Sequence, residues 1–213
     1  MKNIVLISAF ICSYCCSFAQ NFLIEKGQNA SYIQGFIGND RDAFQKGISI
    51  GFSINGRLDM MLSGSHASAK SSISASYAIS PSLNFLVIKQ DKFPFSLGVS
   101  TEYEIKRFPQ TDLLKHNSVK AGISIFHKFR VNEKLSSTPG TYAKASFVSR
   151  SLDIYKDHAK TYTFGIQNTL LFKQISITPG ISYYKNIYSE NRYILSIQLG
   201  ILIFGADRIE SIY

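Results

Sequence analysis

The sequence predicts an all-β protein: a single antiparallel transmembrane β-barrel of about ten strands in meander order. Two observations support this prediction. From 73 to 87 every second residue is apolar or proline, while the residues between them, from 72 to 84, are serine, alanine or asparagine. This period of two is that of a β-strand with unlike faces. After the first 19 residues no stretch of about 18 apolar residues follows, so a membrane-spanning helix is not predicted.

The first 19 residues are predicted to be a signal peptide for export. Lys2 supplies a positive charge, 4–16 is apolar, and Ser17 and Ala19 form a small-x-small cleavage site before Gln20. The three cysteines lie inside this segment, at Cys12, Cys15 and Cys16. The mature chain would therefore contain no disulfide. The lipoprotein alternative is disfavoured because neither Cys15 nor Cys16 follows the expected triplet.

The remaining chain divides into three predicted parts. Residues 20–28 form a polar segment, 29–204 the barrel and 205–213 a polar tail. The formal net charge is +9, but the basic residues are scattered and do not cluster with aromatic residues on one helix. Nucleic-acid binding is therefore not expected.

Ten strands are predicted from the alternation. They cover about 29–37, 46–54, 58–66, 72–88, 94–106, 118–130, 141–151, 161–172, 175–184 and 192–204. The first is the weakest, and Pro81 could divide the fourth because proline supplies no N–H to the ladder. Eight or twelve strands therefore remain alternatives.

Strand register predicts two of the turns. Phe172 and Ile175 share the apolar face, so two residues connect them; Ile54 and Leu58 share it too, so three residues connect them. The second spacing favours a glycine-bulge hairpin over a two-residue Asn-Gly turn. The connections tend to alternate in length, with longer or more polar ones at 38–45, 67–71, 107–117, 152–160 and 185–191.

Aromatic residues on the apolar face separate by type. Phenylalanines lie toward the short-turn end (Phe52, Phe85, Phe95, Phe129, Phe172), and tyrosines toward the long-loop end (Tyr77, Tyr103, Tyr162, Tyr183, Tyr193). Two aromatic girdles around an apolar band are typical of a transmembrane barrel. High strand propensity explains the presence of these residues but not their separation.

A water-soluble barrel or sandwich shows the same alternation and stays an alternative. The opposite face favours the membrane, because it is rich in Ser, Gly, Thr, Asn and Gln and poor in the Lys and Glu that cover soluble proteins. Small polar residues suit the lumen of a narrow barrel.

Three segments carry a resemblance to a known group: "GISIGFSINGRLDMMLSG", "ISPSLNFLVIKQDKFPFSLGVSTEYE" and the closing "RYILSIQLGILIF". Over about 29–204 the chain resembles the small, porin-like outer-membrane β-barrels of Gram-negative bacteria, and it looks most like the Bacteroidetes-type family. The resemblance implies residence in the cell outer membrane, insertion by the barrel-assembly machinery, short turns in the periplasm and long loops outside. One departure is that a polar tail follows Phe204, where the group ends on an aromatic residue.

Charged residues are expected in the lumen, either as a plug or along a pore: Asp59, Glu102, Glu104, Lys120, Lys128, Arg130, Lys144 and Arg150. With a loop centred near Asp112, Glu104 comes opposite Lys120. Mutual neutralisation in a side-chain-filled interior is favoured over a narrow, anion-preferring solute path.

Other functions have weaker support. No Ser, His and acid share one level of the predicted lumen, so no enzyme activity is expected. Neither a metal nor another cofactor is expected, because no cluster has ligand spacing. The outer loops 107–117 and 152–160 contain apolar residues (Phe108, Leu113, Leu114, Ile154, Tyr155), which leaves adhesion or partner binding as the alternative to strands that extend beyond the membrane.

Overall fold

The computed structural model describes residues 29–39, 43–69, 75–90, 93–109, 114–152, 155–186 and 189–204. The predicted signal peptide, the segment 20–28 and the tail 205–213 lie outside these residues. So do Asp112, Leu113 and Ile154 of the predicted outer loops.

The described chain forms β-strands in chain order. They are β1 (Ala30–Asn39), β2 (Ala43–Ile54), β3 (Leu58–Ala69), β4 (Ala75–Ile88), β5 (Ser96–Arg107), β6 (Leu114–Phe126), the two-residue β7 (Phe129–Arg130), β8 (Leu135–Leu152), β9 (Tyr155–Phe172), β10 (Ile175–Asn186) and β11 (Ser189–Phe204). Ten of them are long, and each overlaps one of the ten predicted strands. Among the described residues no helix has the length and hydropathy to cross a membrane.

The ten long strands close into one antiparallel barrel. Each pairs with its neighbours in sequence, β1 pairs with β11, and β6 pairs with β8 past the short β7. Followed once around the barrel, the offsets between paired strands add up to a stagger of about 12 residues. A stagger of this size tilts the strands by about 40° from the barrel axis. The predicted meander barrel is confirmed.

The two faces of the barrel are inverted relative to a soluble protein. On β11, Leu199 is 55% exposed and points outward, whereas its neighbour Gln198 is 8% exposed and points into the lumen. The buried polar set includes serines and threonines from almost every long strand, and large apolar side chains of every long strand are exposed. The soluble-barrel alternative is therefore wrong, because its apolar residues would converge on the centre.

Aromatic rings fill part of the lumen by lying over glycines. Tyr32 is the register partner of Gly51, and Phe36 is the partner of Gly47. A Cβ atom added at either glycine would collide with the ring opposite. The same arrangement pairs Tyr142 with the glycine at 165. Glycine is needed here because a neighbouring side chain occupies the space of its own.

Both turns predicted from register have the expected length. Phe172 pairs with Ile175, and Ile54 pairs with Leu58. The glycine-bulge expectation for 55–57 is corrected: Asn55 and Gly56 both have a φ of 53°, and the Arg57 N–H donates to the Ile54 carbonyl at 2.9 Å. Two successive positive φ angles define a type I′ turn, which Asn-Gly favours.

Pro81 does not divide β4. The strand continues through it and pairs with Leu62 on β3, while the pairing with β5 stops at Ile79 and resumes at Ser82. Proline removes one donor, so the ladder is interrupted on one side only. Pro179 on β10 has the same effect on the pairing with β9.

The two ends of the barrel differ. The terminal end, as we name it, contains Ala30, Phe204 and the turns at 55–57 and 173–174; the far end contains the opposite ends of the long strands, at Asn39, Ala69, Arg107, Leu152 and Asn186. The predicted long loops at the far end are largely strand, since β8 and β9 run for 18 residues each. About 10 residues suffice to cross a bilayer, so this hairpin continues beyond it.

Candidate functional site

An ion-pair network lies on the lumen side of three adjacent strands, β5, β6 and β8. Lys120 Nζ lies 2.9 Å from Glu102 Oε1 and 2.9 Å from Glu104 Oε2, while Lys144 Nζ lies 3.7 Å from Glu102 Oε2. All four residues occupy the alternate positions of their strands at which side chains point into the lumen. Two carboxylates and two ammonium groups therefore neutralise one another in a mostly buried cluster, which we call the lumen network.

The predicted partner of Lys120 requires a correction. Glu102, not Glu104, is its direct cross-strand neighbour, and Glu104 lies opposite Ser118. The β5–β6 register is thus centred near 111 instead of 112. The expected Glu104–Lys120 ion pair still forms, because Lys120 reaches diagonally to the next lumen position.

A second row of inward polar residues lies closer to the far end. Lys106, His116, Arg150 and Asp157 are successive register partners on β5, β6, β8 and β9. Arg150 Nη1 lies 3.8 Å from Asp157 Oδ2. Lys106 is fully buried, and its Nζ lies 5.7 Å from the ring centroid of the buried Phe108. Phe108 therefore covers this row as an inward-facing residue and does not belong to an apolar outer surface.

Three of the predicted lumen residues lie outside the lumen network. Asp59 points inward but opposite Ser53 near the terminal end, away from the lumen network. Lys128 follows the end of β6, where Gln90 holds its backbone N–H and carbonyl, and Arg130 is exposed on β7. The predicted sixth strand ran on to 130, whereas β6 ends at Phe126, so Lys128 and Arg130 lie at the rim of the terminal end.

Sequence reasoning missed Lys106 and His116 as lumen residues. The predicted strands ended at 106 and began again at 118, and His116 was assigned to a loop. In the structure both are buried strand residues. The alternation of side chains along each strand was a usable signal. Lys106 has the same even-numbered, inward-facing spacing as Glu102 and Glu104, and His116 has the same spacing as Lys120.

The predicted girdle residues point outward. Nine of them are exposed, and Tyr183 is half-buried against Tyr193, with their ring centroids 5.3 Å apart. The phenylalanines lie toward the terminal end of their strands and the tyrosines toward the far end. A broad band of exposed aliphatic side chains separates them.

A polar cavity lies beside the lumen network, lined by Glu102, Lys144 and polar side chains that include Ser49, Ser82 and Gln198. Within the described residues no group of three His, Cys, Asp or Glu side chains could bind a metal ion.

No protein-family model matches the chain, and no curated protein matches it in sequence. Solved structures do match. The β-domain of the Bordetella autotransporter BrkA aligns with a TM-score of 0.53 at 9% identity, over 85% of this chain and 100% of that one. This similarity shows that the two chains share a β-barrel fold.

Two further solved structures are similar at lower scores. The N-terminal β-barrel domain of Pseudomonas aeruginosa OprF aligns with a TM-score of 0.40 at 10% identity, over 84% of this chain and 100% of that one. Ail, the attachment invasion locus protein of Yersinia pestis, aligns with a TM-score of 0.40 at 10% identity, over 84% of this chain and 98% of that one.

The chain has the fold of the outer-membrane β-barrels. A closed antiparallel barrel with an exposed apolar band and a polar interior satisfies every strand in hydrocarbon without a free edge. This barrel has its ion pairs on the lumen side of its wall and its aromatic girdles on its outer surface.

Proposed function

We propose that this barrel is a structural outer-membrane protein whose lumen is closed by its own side chains, and that it does not serve as an open porin. The lumen network is the observation that carries the proposal. Lys120 links two strand positions through Glu102 and Glu104, and polar side chains from other strands surround the adjacent cavity. A solute path would require these ion pairs to separate.

Separation of the network is costly because its members are removed from water. Glu104 is fully buried and the Lys120 side chain is 6% exposed. A buried charge that loses its partner costs about 3–5 kcal/mol. Thermal opening of a conducting path through this level is therefore rare.

Conductance of the purified protein in a planar bilayer tests this proposal. We expect no resolved single-channel steps from the wild type. A variant with Glu102→Ala, Glu104→Ala, Lys120→Ala and Lys144→Ala removes the network without leaving an unpaired charge in it, and we expect stepwise conductance from this variant. Regular steps from the wild type with an anion preference would establish a narrow porin instead.

A surface that binds an extracellular partner is the second candidate, and the β8–β9 hairpin favours it. This hairpin extends past the length needed to cross the bilayer and presents His158, Lys156 and Lys160 outward. Replacement of 151–156 by a two-residue turn would shorten the hairpin and keep the Arg150–Asp157 pair in place. Loss of cell adherence in cells that display the trimmed protein supports this function, and unchanged adherence contradicts it.

The proposal includes no catalytic activity and no cofactor. His127 Nδ1 is hydrogen-bonded to the Pro94 carbonyl, the His66 ring contacts the Tyr77 ring in a tilted arrangement with centroids 4.8 Å apart, and His116 is buried in the row with two cations. A catalytic base requires a nucleophile and an orienting acid beside it. A detergent-dependent esterase activity abolished by His116→Asn would contradict this part of the proposal.

The proposal also assigns a direction and a route of assembly. Ala30 and Phe204, the first residue of β1 and the last residue of β11, both lie at the terminal end, so the barrel inserts from the periplasm without passing either of them through the membrane. The terminal end then faces the periplasm, the far end faces outside, and the barrel-assembly machinery and the lipid bilayer are the partners. Protease treatment of intact cells is expected to cleave only at the far end.

A further inference from the structure

A group of basic side chains lies on the outer surface at the far end, separate from the lumen. We name it the basic belt: Arg107, Lys115, Lys156, Lys160 and Lys185, on β5, β6, β9 and β10. All five are exposed. The described outward positions of β5, β6, β8, β9 and β10 include no aspartate or glutamate, so no carboxylate on these faces neutralises the belt.

Two members of the belt are like charges in direct opposition. Arg107 and Lys115 are register partners on β5 and β6. Arg107 is held in place by hydrogen bonds that its Nη1 donates to the Lys106 carbonyl at 2.8 Å and to Asn117 Oδ1 at 3.3 Å. Like charges directly across a strand pair are destabilising. An anion that contacts both would remove this repulsion.

The belt lies at the level of the outer aromatic girdle. Arg107 is the register partner of Tyr77, and Lys185 is the partner of Tyr162. Lys160 is the partner of Phe147, and its Nζ lies 5.6 Å from the ring centroid. Aromatic side chains in this arrangement mark the boundary between hydrocarbon and lipid headgroups. The basic ends of these residues therefore reach the depth of the headgroup phosphates.

We propose that the basic belt binds the phosphate groups of anionic lipid headgroups in the leaflet at the far end. The inference rests on the membrane orientation in the proposed function. A lipid fits better than a free anion because the five charges spread over a convex wall with no enclosing cleft. They occupy one part of the circumference, since Lys46 is the one basic residue at the described outward far-end positions of β1–β4 and β11. Juxtamembrane basic residues attract anionic headgroups in this way.

Spin-labelled lipids in vesicles test the proposal. The protein is reconstituted in phosphatidylcholine, and electron paramagnetic resonance measures the association of spin-labelled phosphatidic acid relative to spin-labelled phosphatidylcholine. We expect the wild type to prefer phosphatidic acid by about fivefold. The belt variant, Arg107→Gln with Lys115→Gln and Lys160→Gln, is expected to lose most of this preference.

The matched control removes the same net charge at the other end. Arg57, Lys134 and Lys173 are exposed residues of the terminal-end turns, and their replacement by glutamine is expected to leave most of the preference intact. An equal loss in both variants would assign the effect to net charge and overturn the proposal. A wild type without preference, or a preference abolished by inorganic phosphate at constant ionic strength, would overturn it too.

The experiments distinguish a failure of the lipid-binding inference from a failure of the proposed function. The belt variant alters no lumen residue, so its conductance and heat-modifiable migration on a gel should match those of the wild type. A conducting wild type would reject the closed lumen and leave the lipid preference standing. An absent lipid preference in a non-conducting protein would reject the belt alone.

Discussion

Lys120 is the residue on which the lumen charges depend most, because its ammonium group lies 2.9 Å from carboxylate oxygens of both Glu102 and Glu104. Its replacement leaves two carboxylates close together in a mostly buried site. Lys144 compensates in part, since it approaches only Glu102, at 3.7 Å. The stability of the barrel at this level should therefore respond far more to Lys120 than to any exposed lysine.

Lys120→Met is expected to lower the free energy of unfolding by about 3–5 kcal/mol, the cost of a buried charge without its partner. Equilibrium urea unfolding in detergent micelles measures the change. Lys134→Met, at an exposed turn position, is the control and should have little effect. Adding Glu104→Gln should restore most of the loss, because it leaves the Glu102–Lys144 ion pair in place; if it does not, charge is not the cause.

Gly51 tests the ring-over-glycine packing, again at the scale of one residue. A Cβ atom at Gly51 would collide with the Tyr32 ring, whereas one at Gly35 would meet no atom within 4 Å. Gly51→Ala should cost about 1–3 kcal/mol through overpacking, as measured by the urea midpoint. Gly35→Ala should be almost neutral. An equal cost in a Tyr32→Ala background would show that the ring is not responsible.

At the scale of elements, the two tight turns at the terminal end differ in how well their residues fit. Gly56 and Lys173 both have positive φ, 53° and 54°. This conformation suits glycine and costs other L-residues about 1–2 kcal/mol. Lys173→Gly should therefore raise the urea midpoint and Gly56→Ala should lower it. Shifts of the same sign would contradict the assignment of strain to these two turns.

Strand parity explains why most elements were predictable from the sequence. The Phe172–Ile175 and Ile54–Leu58 pairings follow from the rule that cross-strand partners share a face. The alternation of apolar and polar residues no longer identifies a strand where both of its faces are polar. Between Lys106 and His116 the chain loses its apolar alternation, so the ends of β5 and β6 were assigned to a loop.

Parity also cannot detect a register shift of two residues, because both registers keep each side chain on its face. Lys120 was for that reason placed opposite Glu104 instead of Glu102. The sequence predicts which charged residues point into the lumen. Which of them lie opposite one another depends on the strand registers of the closed barrel. The type I′ geometry at Asn55 and Gly56 likewise depends on backbone angles that the three-residue spacing does not determine.

At the scale of the whole molecule, the barrel places its apolar residues outside and its charges inside. Ile166 is 61% exposed on β9, between the phenylalanine and tyrosine girdles. In water an exposed isoleucine can be replaced by a polar residue at little cost. In the hydrocarbon core, Ile166→Arg should instead lower the free energy of unfolding by about 2–4 kcal/mol. Folding assays in phospholipid vesicles measure the difference, and a neutral result would contradict a lipid-facing position.

The most direct test of the account follows the accessibility of successive residues along β11. Residues 20–213 contain no cysteine, so single cysteines at 194–201 can be spin-labelled one at a time in vesicles. We expect collisions with oxygen, which concentrates in hydrocarbon, to peak at Leu195, Ile197, Leu199 and Ile201 and to fall at the residues between them. Maxima at Ser196, Gln198 and Gly200, or no period of two, would contradict an apolar face turned toward lipid.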